Sequence, residues 1–302
     1  MFDKADDELQ ILLEMFKYLL LGANGVLFII AVFVFFTSST CESATSLSTP
    51  VQLKRALLVT AHPDDESMFF LPLLHSLQKR QKNSTDKWQT HLLCLSRGNF
   101  DGLGSIREKE LKACATYIGL SLEHVQALED PKLQDGMENQ WEVAHIAVIV
   151  ADYVQKNEID AVFTFDDYGV SGHPNHIATY NGVKQAICEQ QEKCNTLTAE
   201  DGKETKAVRG WALESTTIVR KYVGLLDTAL LFWLSRQRED ERQFVFVFKP
   251  LWNYNAMALH QSQFVWYRRL FVAFSRYTFI NTFRPLLSIG SAELSAAHKK
   301  TQ

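Results

Sequence analysis

Five consecutive residues, His62-Pro63-Asp64-Asp65-Glu66, put an imidazole beside a run of carboxylates. The apolar run before them, residues 56–60, reads as a buried strand. The polar groups therefore arrive at a strand's C-terminal end, where open α/β sheets build their sites. About 110 residues later comes a second cluster, Gly172-His173-Pro174-Asn175-His176, behind another apolar run and an acidic turn at residues 160–167. A carboxylate-rich loop and a histidine-rich loop can together hold a metal ion through N and O atoms and keep one carboxylate over as a base. That is the equipment of a metal-assisted hydrolase.

Pro63 biases His62 toward extended backbone, which points its ring off the strand end. Asp64 and Asp65 are neighbours whose side chains diverge, so one can ligate while the other faces the reaction space. The ordinary reading of the pair is a helix N-cap. Glu66 fits either as a partner behind the ligands or as an acid in the first helical turn, where a carboxylate is favourable. His173 and His176 sit in a turn bounded by Gly169, Gly172 and Pro174, just ahead of a helix. Asp166 is either a group supporting them or a plain turn acid. Arg97 and Asn99, with Arg107 and Glu110 on the next helix, are candidates to line the same crevice. A surface pair at i, i+3 is the competing reading of Arg107 and Glu110.

Strands are expected at 56–60, 91–96, 124–127, 161–165, 216–219 and 244–248, and helices at 66–79, 106–118, 141–157 and 176–190. Their alternation predicts an α/β fold, a Rossmann-like and mostly parallel sheet with flanking helices. No internal repeat is visible. The 302 residues, 46% apolar and 22% charged, are enough for one large core. A net charge of −4 without a long basic run gives no support to nucleic-acid binding.

Residues 18–36 are uncharged and apolar, long enough as a helix to cross a hydrocarbon core of about 30 Å. An acidic preceding stretch argues for a retained transmembrane anchor over a cleaved signal. Lysine and arginine counts on its two flanks do not decide its orientation. The expected division is a tail at 1–17, the anchor at 18–36, a linker at 37–52, the α/β domain at 53–250, a helical segment at 251–290 and a tail at 291–302. Within that helical segment, residues 264–280 taken as a helix place Phe264, Tyr267, Phe271 and Phe274 on one stripe and Arg269 and Arg276 opposite. Such a stripe reads either as membrane-interfacial or as packed on the sheet. The five cysteines form no CxxC framework, which favours free thiols in a reducing compartment.

Ala61-His62-Pro63-Asp64-Asp65-Glu66 with Gly172-His173-x-x-His176 resembles the PIG-L/LmbE-like zinc de-N-acetylases. Ser96-Arg97-Gly98-Asn99, His260-Gln261-Ser262-Gln263 and the stretch Trp266-Tyr267-Arg268-Arg269-Leu270-Phe271 are similar to its eukaryotic branch. The resemblance implies Zn2+ (or another divalent metal) on His62, Asp65 and His176, with Asp64 as general base. It implies His173 as the charged or hydrogen-bonding partner of the oxyanion. Bacterial members often have Asp where this chain has Asn175, which leaves the tuning of His173 open. Arg107 and Glu110 resemble the family's Arg-x-x-Glu pair, and with Glu66, Arg97, Asn99, Asp166 and His260 they are the candidates to bind substrate or to support the site. The implied reaction removes the acetyl group of GlcNAc-phosphatidylinositol, the second step of GPI-anchor synthesis. The implied location is the endoplasmic reticulum membrane, single-pass, with the domain facing the cytosol. No nucleic acid is expected and no protein partner can be inferred. A deacetylase of a soluble GlcNAc conjugate, and a catalytically silent membrane-bound binding protein, are the rival readings.

Overall fold

The computed structural model describes residues 53–82, 87–201, 207–222 and 243–287. The expected anchor at 18–36, with its flanking tail and linker, lies outside them, as does the tail at 291–302. Among the described residues no helix is long and apolar enough to cross a membrane.

The centre of the molecule is β1 (Lys54–Thr60), whose last five residues are all buried. A strand covered on both faces needs such an unbroken apolar run, and a parallel strand between helix layers is so covered. It pairs in parallel with β2 (Trp88–Cys94) on one side and β4 (Ala161–Phe165) on the other. β3 (Val125–Ala127) adds to β2, and β5 (Arg209–Leu213) adds to β4, both parallel. Two antiparallel strands complete the sheet: β7 (Ile280–Pro285) bonds to β5, and β6 (Gln243–Phe246) bonds to β7. The order is β3-β2-β1-β4-β5-β7-β6. The chain reverses its winding between β1 and β4, so the loops after these two strands flank the topological switch point, where such sheets open a crevice. Both motif loops are those loops.

The helices are α1 (Asp65–Phe69), α2 (Leu71–Lys82), α3 (Gly104–Ile118), α4 (Val143–Lys156), α5 (Gly169–Gly172), α6 (Pro174–Asp201), α7 (Ile218–Tyr222), α8 (Pro250–Ala258) and α9 (Trp266–Phe274). The helices α4 and α6 lie side by side because position 182 has no side chain. A Cβ on Gly182 would fall 2.4 Å from Cγ2 of Ile146.

The expected fold class holds in its main part, as a mostly parallel but mixed sheet flanked by helices. Four details differ. The helix expected at 66–79 is two helices meeting at Phe70. Pro72 lacks the N–H that would continue the first helix, and proline also restricts the residue before it. The strand expected at 216–219 is instead the approach to α7; the real strand is Arg209–Leu213. The β-branched run Thr216-Thr217-Ile218-Val219 carried the propensity, but Ile218 and Val219 are exposed beyond the sheet, and burial outranks propensity. Expected as helix through 280, the chain ends α9 at Phe274 and forms a 3-10 turn at Arg276–Thr278. Its stripe divides accordingly: Phe271 and Arg276 are buried, while Tyr267 and Phe274 are exposed. Residues 280–285, assigned to the helical segment, are β7 between β5 and β6.

Candidate metal centre and active site

Asp65 opens α1 with its side chain folded back. Its Oδ2 accepts backbone N–H bonds from Ala61 at 3.0 Å and His62 at 2.8 Å. That leaves Oδ1, which lies 3.2 Å from Nε2 of His176. Burial opposes the Asp65 charge, but the nearby His176 and His62 prevail and hold its pKa well below the usual carboxylate range. His176 is fixed from behind: Nδ1 lies 3.0 Å from the Gly169 carbonyl, and the ring stacks on Phe165 at 4.1 Å between centroids. With Nδ1–H donated to that carbonyl, Nε2 is the atom that a neutral His176 would offer to an ion shared with Asp65. Gly169 is required for this approach. It adopts φ +63°, and a Cβ there would lie 2.6 Å from Cβ of His176.

His62 completes the group. Its Nε2 meets Oδ1 of Asp135 at 3.0 Å, and the Asn175 side-chain amide also lies 3.0 Å from that nitrogen. A proton on Nε2, shared with the Asp135 carboxylate, leaves Nδ1 as the lone-pair atom, 3.9 Å from Oδ2 of Asp65. A carboxylate behind a histidine in this way sets the tautomer of metal ligands. Burial works against the charged ring, but Asp135 and Asp65 outweigh it and raise the His62 pKa. One donor atom from each of His62, Asp65 and His176 lies within 4.8 Å of the others. Donors sharing an ion with bonds of about 2.0–2.2 Å sit about 3.2–3.5 Å apart, which the His176–Asp65 edge already fits. The donors are N and O atoms, the chemistry of a divalent metal site. A second buried group, Glu66, Cys114 and His260, does not fit an ion. Its Glu66–His260 contact of 2.5 Å is a hydrogen bond too short for two shared ligands, and burial pushes the Cys114 thiol up.

Asp64 does not behave as a cap. It occupies the N-cap position of α1, yet its side chain makes no capping bond, and its backbone sits at φ +126°. A non-glycine residue there is strained by about 1–3 kcal/mol, a pattern concentrated at functional sites. The strain is held by its surroundings. Oε2 of Glu66 accepts the Asp64 backbone N–H at 3.0 Å, and Gln263 Nε2 donates to the Pro63 carbonyl at 2.7 Å. The Asp64 carboxylate is 4% exposed and forms an ion pair with Arg268 of α9 at 2.5 Å. Burial lifts its pKa to about 6; Arg268 opposes that shift, while Asp65 adds to it.

His173 lies beside the group, its ring 4.8 Å from that of His62 and 5.0 Å from that of His176. Its Nδ1 accepts the Asn175 backbone N–H at 3.2 Å, so a neutral ring carries its proton on Nε2. Burial, reinforced by His62 and His176, lowers its pKa to about 4. Of the two roles open to His173, this environment favours the neutral hydrogen-bond donor.

The remaining expected residues divide by distance. Glu66 and His260 are fully buried directly behind Asp64. Glu110 does not pair with Arg107; it accepts bonds from the Ser262 backbone N–H at 2.7 Å and hydroxyl at 2.6 Å, holding the 260–263 loop. Arg107 reaches the site through Asp135, at 3.3 Å, and also pairs with Asp101 at 2.9 Å. Arg97 pairs with Glu108 and Glu129. Asn99 accepts the Gly104 backbone N–H at 2.9 Å at the start of α3. Both line a cavity of about 130 Å³ that Asp135 closes on one side. Asp166 is a turn acid: it accepts backbone bonds from Tyr168 and Gly169 and holds Ser215, which sets the Gly169 carbonyl for His176. Asp135, Arg268 and Gln263 were not among the expected site residues. Asp135 lies in a polar loop with no motif to mark it. The Arg268-Arg269 doublet amid aromatic residues was a usable signal for Arg268.

Comparison with known proteins bears on this geometry. A family model described as PIG-L: GlcNAc-PI de-N-acetylase matches residues 57–187, which contain both motif loops. A relative from Dictyostelium discoideum, named probable N-acetylglucosaminyl-phosphatidylinositol de-N-acetylase, is 36% identical over 247 residues, covering 76% of this chain and 92% of its own length. The chain belongs to the PIG-L family. A second PIG-L relative, the N-acetylglucosaminyl-phosphatidylinositol de-N-acetylase of Bos taurus, is 37% identical, covering 76% of this chain and 82% of its own. Among solved structures, the hydratase GalB of Pseudomonas putida KT2440 has a TM-score of 0.51 at 14% identity, covering 78% of this chain and 97% of its own. That likeness shows the fold alone, and a hydratase on it shows that the PIG-L fold does not dictate one reaction.

Proposed function

We propose that this chain is a zinc-dependent de-N-acetylase that converts GlcNAc-phosphatidylinositol to GlcN-phosphatidylinositol and acetate. The observation that carries the proposal is the division of labour at 64 and 65. Asp65 lies against His62 and His176, while its neighbour Asp64 is buried outside that group, paired with Arg268, with its pKa raised by burial. The named relatives supply the substrate.

His62, Asp65 and His176 would hold the ion. Zinc there would supply Lewis acidity, lowering the pKa of water and polarising the acetyl carbonyl. Asp64 takes the proton from the attacking water and returns it to the amine as the C–N bond breaks. His173, through Nε2–H, donates to the oxyanion that develops as water adds to the amide carbon. Glu66, His260 and Gln263 keep the Asp64 backbone in its strained conformation, so the base does not relax out of line. Arg97, Asn99 and Asp135 line the neighbouring cavity, where sugar hydroxyls are the matching chemistry.

Anchoring by residues 18–36, single-pass in the endoplasmic reticulum with the domain in the cytosol, belongs to the same proposal. The described cysteines Cys94, Cys114 and Cys188 are free thiols, in keeping with a reducing compartment. The test is acetate release by the purified full chain from GlcNAc-phosphatidylinositol, from a soluble GlcNAc conjugate, and after chelation followed by zinc. The expected result is turnover of the lipid substrate, lost on chelation and restored by zinc. Turnover that survives removal of all metal overturns the mechanism, and preference for the soluble conjugate overturns the substrate.

A further inference from the structure

Of the two short helices beside the site, α9 buries one face and leaves another with nothing described packed on it, and α7 buries none of its residues. On α9, Phe271 and Val272 are buried, while Trp266, Tyr267, Leu270 and Phe274 are exposed, Trp266 by 72% and Phe274 by 57%. These four lie at i, i+1, i+4 and i+8, one side of a helix. Next to them, α7 exposes Ile218 by 74% and Val219 by 72%. The two helices are joined: the Tyr222 ring meets Phe271 at 6.2 Å, and the Lys221 ammonium lies 5.7 Å over the same ring.

Each helix also sends a cation toward the reaction site. Arg268 of α9 pairs with Asp64, and Lys221 of α7 donates to the Val170 carbonyl in the histidine loop at 3.3 Å. The segments Ile-Val-Arg-Lys-Tyr and Trp-Tyr-Arg-Arg-Leu-Phe-Val-Ala-Phe carry four cations and no acid. Arg269 lies at the rim of the apolar face, its guanidinium 5.2 Å from the Phe264 ring centroid. From Tyr222 the sequence runs directly into residues 223–234, whose only charge is Asp227.

We propose that α7 and α9 form a docking surface for a lipid bilayer with anionic headgroups, so that the site opens at the membrane surface. A bilayer matches all of it: acyl chains for Ile218, Val219, Leu270 and Phe274, the interface for Trp266 and Tyr267, and a headgroup phosphate for Arg269 at the rim. The surface deepens the proposed function and rests on it for the substrate, since Arg268 of α9 pairs with Asp64 and ties the face to the reacting group. It does not rest on the anchor at 18–36. A tether limits distance from the membrane, whereas a docked face fixes orientation.

The test uses the full chain in vesicles of phosphatidylcholine and phosphatidylserine, with a photoreactive benzoylphenylalanine in place of Trp266 or Phe274. Phospholipid adducts are expected at both positions and not at the control position Val148, exposed by 60% on α4. Cross-links to residues 223–242, to a second copy or to another protein overturn the proposal, as do equal lipid adducts at Val148. In a second arm, Trp266→Ser, Leu270→Ser and Phe274→Ser are combined. Loss of apolar insertion predicts a fall of about 10-fold or more on vesicle-embedded substrate and no change on a short-acyl substrate in solution. Equal loss on both substrates, or none on either, overturns it. If the unaltered chain turns over neither substrate, the assigned reaction fails, and the cross-links still judge the surface.

Discussion

In the parallel part of the sheet, β1 and β4 end in the loops that carry His62, Asp64, Asp65, His173 and His176. In the antiparallel part, the chain around α8, α9 and β7 brings His260, Gln263 and Arg268 against the same motif from 190 or more residues away. The first region holds the groups with bonds to make; the second decides where they point. Short local loops at a switch point can assemble donor atoms, but a backbone at φ +126° needs long-range partners to keep it there.

The division is broken most directly in the first region. His176→Ala removes Nε2 and should abolish both metal content and acetate release. Asp64→Asn should lower kcat by about 10²–10⁴ and leave metal content intact. Metal analysis beside turnover checks the pair, and loss of metal in Asp64→Asn would erase the distinction between residues 64 and 65. Next comes His260→Gln, which strands the Glu66 carboxylate in a fully buried site. Losing one partner of a buried pair costs about 3–5 kcal/mol, which denaturant unfolding would read. The His260 pKa is raised: burial opposes its charge, and Glu66 more than compensates. The pair's contribution is therefore complete below a pH of about 6.5 and fades as pH rises through the raised value. The stability gap to His260→Gln should accordingly narrow in alkali. The smallest effect is expected for Ser262→Ala, which loses one hydroxyl bond to Glu110, about 1 kcal/mol, with kcat unchanged. A large kcat loss there would mean that the second region does more than hold.

What the sequence made legible follows the same line. The motif loops were readable because their residues are adjacent in the chain and directly follow apolar strands. Asp135 was hidden because it reaches His62 from a loop 73 positions away that has no local signature. In the second region β7 escaped because its antiparallel partners, β5 and β6, are defined by long-range pairing. Its sequence Ile-Asn-Thr-Phe-Arg-Pro carries no clean alternation. Arg268 lies off the aromatic stripe of its helix, and its partner Asp64 is 204 positions away, so nothing local in the sequence marks the pair.

The backbone at Asp64 has a consequence for how this chain can change. Glycine would occupy position 64 without strain, because it alone reaches that conformation freely. Selection for heat resistance would therefore be drawn toward the one substitution that deletes the base, while selection for turnover would restore it. Natural chains rest just above the stability they need, and here the margin and the chemistry compete for a single codon.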